Sequence, residues 1–558
     1  MMKLVECVPN FSEGRDKNVI QAITKEISDT ENVKLLDVDA GADTNRTVVT
    51  FIGSPEQVKE AAFKAIKKAA ELIDMRKHHG AHARIGATDV CPFVPVSGVT
   101  MEECVHLARE LGEKVARELD IPIYLYEAAA STPERASLAN IRQGEYEGLA
   151  EKLKDPCWRP DFGEARFNAR SGATVIGARE FLIAYNINLN TKDRKLANDI
   201  ALTIREGGCA KRDDRGEIIR DENGKAIKTP GRLKAVRAVG WYIDEYKQAQ
   251  VSINLINYKI TPLQVVFDVV CEEAEKRGLR VTGSELVGLI PLHAILNAEK
   301  HYLLKQGKSP GMPEEEIIEI AVQSLGLHDL TEFDPKQKII EYQVQEQNGT
   351  LVKKSLREFA NDLSSDAPAP GGGSAAALAG ALSSSLAAMV ANLTVGKKGY
   401  ESCQEEMKDL ACKAQSLKDE LLSSVDQDTN AFNALMSALA LKKTTEEQAQ
   451  TRDEAIELAT KNACQVPLDV MKRSVEVLFL AKAVAERGNE NAASDAGVAA
   501  LLAAAAVEGA GLNITINLPS IKDSEFIADM NREGEKLLTQ AKELKNAILP
   551  IVKSKIVK

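Results

Sequence analysis

The sequence predicts a multidomain chain in which two α/β subdomains precede an all-α helical bundle. Three observations carry that expectation. The first third alternates strand-like and helix-like runs, a similar alternation returns further on, and beyond residue 350 the composition turns alanine-rich with almost no β-patterning. A chain of 558 residues is also too long for one hydrophobic core, so roughly two to four domains are expected.

Residues 3–9 read as a strand, 16–28 as a helix, and 33–38 and 46–52 as further strands. Ser54-Pro55-Glu56-Gln57 reads as a helix start, with Ser54 as N-cap, proline in the first turn and Gln57 closing a capping box. Val58, Ala62, Ala65, Ile66, Ala69 and Ile73 form its buried stripe. Thr100 and Glu103 open another capped helix, with Cys104, Leu107, Leu111, Val115 and Leu119 at helical spacing.

An echo follows. Thr261-Pro262-Leu263-Gln264 repeats the Ser-Pro-x-Gln start, after a strand at 250–258 and before another apolar-striped helix, and both helices lead to a strand ending at proline, Pro95 or Pro291. Two related subdomains follow from this, each a small sheet with helices on one face, an α+β sandwich of ferredoxin-like type. Chance similarity of helix starts is the plain alternative. Residues 211–228 form a charged insertion, 338–344 a strand, and 345–350 a polar stretch resembling a linker. The expected domains are 1–181, 182–342 and 351–558, with a linker at 343–350.

The net charge of −11 is spread along the chain, which argues against nucleic acid as a partner. Apolar and charged contents of 44% and 27% are ordinary for a globular protein. Nine scattered cysteines without CxxC predict neither a disulfide framework nor a zinc knuckle. No signal peptide is visible, so the cytoplasm is the expected compartment. Residues 367–396 carry no charge and are long enough to cross a bilayer. Their prolines, glycines, alanines and serines suit close helix packing better than lipid, and no membrane span is expected.

Three of the seven histidines, His78, His79 and His82, fall within five positions. Gly80 interrupts their helical spacing, no HExxH is present, and Cys91 lies beyond a strand boundary, so no metal is expected. Two readings remain: surface histidines, or an acid–base histidine on a glycine-rich loop with Arg84 beside it for an anionic substrate.

A second chemistry-bearing region begins at APAPGGGS, 367–374. Its glycines, Gly372 and Gly373 among them, either turn backbone N–H groups toward an anion or serve as a linker. In the helix beyond, Met407, Leu410, Ala414, Leu417, Leu421, Val425, Asp428, Phe432, Leu435 and Leu439 recur at three- and four-residue steps. A carboxylate on an apolar stripe is costly, so Asp428 is either a buried capping partner or a working acid. Asp426 falls nearly opposite and is expected in solvent.

The motifs VECVPNFSEGR (5–15), LDVDAGADTNRTV (36–48), the 78–96 run, WRPDFGEARFNARSG (158–172) and FLIAYNINL (181–189) together resemble the glutamate formimidoyltransferase family. APGGGSAAALAGAL, TVGKKGY (394–400), SVDQDTNAF (424–432), VPL (466–468), GNENAASDAGVAA (488–500) and NITINL (513–518) are similar to formimidoyltetrahydrofolate cyclodeaminases. The first resemblance implies a catalytic His82 and a folate-contacting loop of Gly163, Glu164, Ala165, Arg166, Phe167, Asn168, Ala169, Arg170, Ser171 and Gly172. Asp39 would either orient His82 or cap a turn, and Arg46, Arg84 and Arg166 are candidates for substrate carboxylates. The second implies a catalytic Asp428; Asn491 and Asp495 either line its pocket or bond between helices. Both imply N-formimino-L-glutamate and tetrahydrofolate as substrates, the folate in polyglutamylated form, no metal or nicotinamide, and a homo-oligomer built from dimers. Rival readings are a single working centre beside a scaffold domain, or a metal-dependent amidohydrolase on the histidine cluster.

Overall fold

The computed structural model describes residues 3–557 except Asp43, Ala81, Asp214, Asn223, Glu245, Thr331 and 345–350. The expected linker falls largely outside the described residues. Contacts divide the chain into two compact units, Met1–Ile295 with Leu325–Val344, and Leu296–Ser324 with Gln345–Lys558.

The first unit opens with β1 (Leu4–Cys7), β2 (Asn10–Phe11), α1 (Lys17–Ser28), β3 (Val33–Gly41), β4 (Arg46–Gly53), α2 (Pro55–Leu72), β5 (Thr88–Ser97), α3 (Met101–Leu119) and β6 (Ile123–Glu127). Helices α4 (Leu138–Arg142) and α5 (Glu145–Lys152) and strand β7 (Thr174–Ala178) complete this half. β1 and β2 form one interrupted strand between β4 and β5, with β3 outside β4 and with β7 and β6 added in parallel beyond β5. Val5, Cys7, Phe51, Phe93 and Ile176 pack beneath Ile23, Val58, Ile66 and Leu111 of the helices.

A second sheet follows from β8 (Ile183–Leu189), α6 (Arg194–Ile204), the short pair β9 (Cys209–Ala210) and β10 (Lys228–Thr229), β11 (Val236–Ile243), β12 (Gln248–Leu255), α7 (Leu263–Glu275) and β13 (Val281–Val287). Its order is β11-β12-β8-β13, antiparallel throughout. Both halves therefore contain one path, strand–helix–strand–strand–helix–strand, with the strands ordered second, third, first, fourth. The Ser-Pro and Thr-Pro helices, α2 and α7, occupy the same step of that path. The 211–228 insertion sits between β9 and β10 and carries its own small bridges.

Local differences from the sequence reading have physical causes. Ser54 sits at the N-cap of α2 but its side chain makes no capping hydrogen bond, whereas Thr100 and Glu103 close a full box on α3. Proline at the first helical position removes one of the unpaired N–H groups of the helix start and presets its φ. β5 continues through Pro95 to Ser97, and β13 stops at Val287, short of Pro291. The expected strand at 338–344 is helical instead, in α10 (Pro335–Lys338) and α11 (Ile340–Val344), which follow α8 (Leu292–Lys305) and α9 (Glu314–Leu325). Asp334 accepts the Lys336 N–H at 2.9 Å ahead of Pro335, and this starts a helical turn.

The second unit is helical: α12 (Leu356–Leu363), α13 (Gly372–Asn392), α14 (Gln404–Leu439), α15 (Glu446–Arg487), α16 (Ala493–Asn517) and α17 (Ser524–Ile556). α13 lies at its centre and packs through alanines, glycine and serines. Ser383 Oγ donates to Ala499 O at 2.6 Å and Ser384 Oγ to Ala414 O at 2.7 Å, contacts that only small side chains and close backbones permit. Two helical stretches are long and apolar enough to cross a membrane, Gly372–Asn392 and Glu490–Ser520, but 61% and 50% of their apolar windows are buried within the bundle.

Candidate functional site

The first centre forms where the β3–β4 turn meets the 78–88 loop. Asn45, at φ 47°, ties that meeting together: its Oδ1 accepts the Gly14 N–H at 3.0 Å, and its Nδ2 donates to His79 O at 3.0 Å. Gly80 lies so close that a Cβ there would stand 2.2 Å from Thr44 O. The glycine is required by that approach.

The three histidines have different surroundings. His78 is buried; its Nε2 donates to Asn45 O at 2.8 Å and its Nδ1 accepts from Arg84 Nε at 3.2 Å. His79 is exposed. Among the described residues no group of three His, Cys, Asp or Glu side chains is arranged to hold a metal. His82 is half-buried. Its Nδ1 lies 2.7 Å from Ala83 O, which can only accept, so Nδ1 carries the proton. Nε2 is then the lone-pair nitrogen and accepts from Arg46 at 2.9 Å. Burial and then the Arg46 charge lower the His82 pKa, which favours a neutral imidazole with its basic nitrogen defined.

Behind it stands a pair that sequence reasoning missed. Asp89 is fully buried, accepts the Ile85 N–H at 3.0 Å, and is paired with Arg142. A lone Asp at the start of a strand carries no distinctive spacing. Asp39 lies on the exposed part of β3; its charge acts on Arg46, while both His82 nitrogens have other partners. Arg84 is buried against His78 and bridges Glu145 and Glu147 at 2.9 and 2.6 Å. Arg166 is paired with Asp120. Both arginines named as candidates for a substrate carboxylate thus already face carboxylates of the chain, Arg84 in a buried setting and Arg166 on the surface.

The 163–172 loop reaches this centre at its far end. Ala87 N donates to Ser171 O at 2.8 Å and Ala173 N to Ile85 O at 3.0 Å. Phe167 packs against Tyr146 with tilted rings and centroids 5.4 Å apart, and Tyr146 N donates to Arg84 O at 2.9 Å. Arg170 donates to the carbonyls of Ala70 and Glu71 at 3.2 and 2.5 Å. A cleft of about 790 Å³ opens beside Arg142, bounded by Tyr126, Glu127 and Arg179 from one half and by Arg237 and Asn257 from the other.

The second centre is at the N-terminus of α13. Asp428 is partly buried; Ser374 Oγ lies 3.1 Å from its Oδ2 and 2.8 Å from Val425 O, and Ser374 N–H also faces the carboxylate. A Cβ on Gly373 would stand 2.1 Å from Asp428 Oδ1, so the glycine makes room for the acid. Burial raises the Asp428 pKa above 3.8, with the Ser374 bonds opposing. Gly372 faces Asn513. Opposite, Pro467 lies inside α15 and lacks the N–H that would pair with Ala463 O; Asn517 Nδ2 donates there instead at 3.3 Å.

One expectation fails here, and of the two readings of Asn491 and Asp495 the chain does not bring about the pocket one. Asp426 is buried, and its oxygens accept the backbone N–H groups of Leu351 at 2.9 Å and Val352 at 3.4 Å. The chain entering the bundle covers that flank of α14. Asn491 and Asp495 do not join Asp428, because α16 runs antiparallel to α13. Its start lies by Leu393 and Thr394, where Asn489 Oδ1 also accepts from Lys397 at 2.6 Å. Its 21-residue neighbour α13 separates the two ends by about 30 Å.

Three family models match successive parts of the chain. Residues 4–179 match the family described as formiminotransferase domain, N-terminal subdomain; 184–345 match formiminotransferase domain, and 355–536 formiminotransferase-cyclodeaminase. The chain is 44% identical to the formimidoyltransferase-cyclodeaminase of Dictyostelium discoideum over 559 residues, covering 100% of both. It is 42% identical to the glutamate formimidoyltransferase of Thermoplasma acidophilum, covering 57% of this chain and 99% of that one. It is 40% identical to the methenyltetrahydrofolate cyclohydrolase of Methylorubrum extorquens, covering 36% of this chain and 98% of that one.

Proposed function

The chain belongs to the formimidoyltransferase-cyclodeaminase family, and from that premise we propose that it carries two centres acting in sequence on tetrahydrofolate. The first transfers the formimino group of N-formimino-L-glutamate to N5 of tetrahydrofolate, releasing glutamate, in the course of histidine breakdown. The second closes N10 onto the formimino carbon and expels ammonia, leaving 5,10-methenyltetrahydrofolate. Full-length identity to the Dictyostelium protein is the observation that carries this reading.

The residues supply a route for each proton. When N5 attacks the amidine carbon it must lose a proton, and His82 Nε2, unprotonated and fixed by the Nδ1–Ala83 bond, can take it. The same proton goes to the glutamate nitrogen as its bond to carbon breaks. Arg46 keeps the imidazole neutral before the attack and, by disfavouring the imidazolium, promotes release of the proton afterwards. At the second centre N10 attacks the formimino carbon while its own proton passes to the imine nitrogen, which needs a second proton to leave as ammonia. A carboxyl with raised pKa, as at Asp428, supplies it. The 163–172 loop, joined to the His82 segment, is read as the folate contact.

Several finer features belong to the same proposal. The shared strand path supports a ferredoxin-like reading of each α/β half, with boundaries near 181, 342 and 351. The folate is read as polyglutamylated, and the assembly as a homo-oligomer of dimers. Exposed Leu382 and Met389 on α13, Leu393 at its C-cap, and Val498 and Leu501 on α16 support a covered face there. Nine free cysteines support a reducing compartment such as the cytoplasm. A second reading of the bundle, favoured by its likeness to a cyclohydrolase, has Asp428 serve water addition to the methenyl carbon. Supplying 5-formiminotetrahydrofolate alone tests the proposal: ammonia release with persistent methenyl absorbance supports cyclodeamination. Decay of that absorbance faster than in buffer supports the second reading, and no ammonia contradicts the first.

A further inference from the structure

The cleft beside Arg142 has a charge pattern that the reaction leaves unexplained. Three arginines line it, Arg142, Arg179 and Arg237, with Glu127 and Glu180. Arg142 is neutralised by Asp89, and Glu180 is paired with Lys259 at 3.0 Å. Arg179 donates to the Glu180 carbonyl at 3.0 Å, and its charge is felt by buried Glu6, whose carboxyl burial pushes up to about 7. Glu127, raised by desolvation, is an acid whose charge interacts with Arg237. Among the described residues Arg237 makes no side-chain hydrogen bond and no ion pair.

Its position is set by the alternation of β11. Val236 and Ala238 are buried, so Arg237 between them lies on the opposite face, and it is exposed. The arginines near His82 are committed elsewhere: Arg46 to the imidazole, Arg84 to two glutamates, Arg166 to Asp120. An unpaired guanidinium in a cleft of about 790 Å³ offers a planar donor fork that matches a carboxylate. Both proposed substrates end in glutamate.

We infer that Arg237 is the specificity residue that binds a carboxylate of a substrate's glutamate moiety in this cleft. The inference rests on the transfer reaction proposed above. Arg237 touches no reacting atom, so its loss should act on binding rather than on chemistry.

The test uses full-length protein with Arg237→Gln and Arg237→Lys, measuring KM separately for formiminoglutamate and for tetrahydrofolate monoglutamate. The Gln variant should raise one KM by about ten- to a hundredfold, the usual worth of a charge-assisted hydrogen bond, with kcat changed less than about threefold. Lys should recover part of the loss. A rise for formiminoglutamate identifies the donor's carboxylate, and a rise for tetrahydrofolate identifies the folate tail; either supports the inference. Unchanged KM for both substrates overturns it, as does a fall in kcat alone. His82→Ala, run in parallel, separates the two failures: if it leaves transfer intact, the transfer reading itself is wrong.

Discussion

At the scale of single residues, His82 and Asp428 make opposite demands on their surroundings. His82→Ala should lower transfer by about 10²–10⁴-fold, and cyclisation of supplied 5-formiminotetrahydrofolate should continue. Arg46 makes a sharper prediction. His82 must be neutral to accept a proton, so transfer rises with pH through a pKa that burial and Arg46 hold below 6.5. Removing the charge in Arg46→Gln raises that pKa, and the acidic limb of the kcat/KM profile should move to higher pH. An unmoved limb would show that Arg46 does not set the imidazole's state. In the proposed role of acid, Asp428 must be protonated, so cyclisation should fall as pH rises past its raised pKa; Asp428→Asn should accumulate 5-formiminotetrahydrofolate while transfer continues. Asp426→Asn should instead cost about 1–3 kcal/mol of bundle stability, because it weakens a charged acceptor for buried backbone donors. Denaturant unfolding measures the loss. The sequence placed Asp428 correctly on the buried flank but sent Asp426 to solvent. A period of 3.6 describes one buried stripe, whereas α14 is covered on a second side by Leu351, 75 positions away. No local pattern encodes that contact.

At the scale of elements, strand alternation and helix stripes were legible because each expresses one face against one core. Val58, Ala62, Ala65, Ile66, Ala69 and Ile73 are all buried as their spacing predicts. What was not legible is where chain ends meet. Lys338 to Val344 alternates like a strand, yet Asp334 and Pro335 start a helix there. The Asp89–Arg142 pair joins a strand to a helix 53 positions later. In α15 the proline has a partner of its own. Asn517→Ala should cost about 1 kcal/mol by leaving Ala463 O unsatisfied. In a Pro467→Ala background, where residue 467 can donate, that cost should largely vanish. A double-mutant cycle of urea midpoints checks the coupling, and additive losses would deny that Asn517 answers the missing N–H.

At the scale of the whole molecule, two chemistries share one chain and one carrier. A polyglutamate tail is a flexible polyanion, and Lys398 is an exposed cation at the 394–400 loop. Tethering raises the effective concentration of the intermediate. Polyglutamylated tetrahydrofolate should therefore release less free 5-formiminotetrahydrofolate than the monoglutamate, with the difference shrinking at high salt. Equal transients for both forms would leave no role for the tail. The central claim is that the two centres are separate and sequential, and mixing tests it most directly. Full-length His82→Ala and Asp428→Asn proteins are incubated, alone and together, with formiminoglutamate and tetrahydrofolate monoglutamate, while methenyl absorbance and ammonia are followed. Each alone should form almost none of either, and the mixture should form both in equal amounts after a lag; a mixture as inactive as its parts, or a single variant active in the complete sequence, would contradict the account.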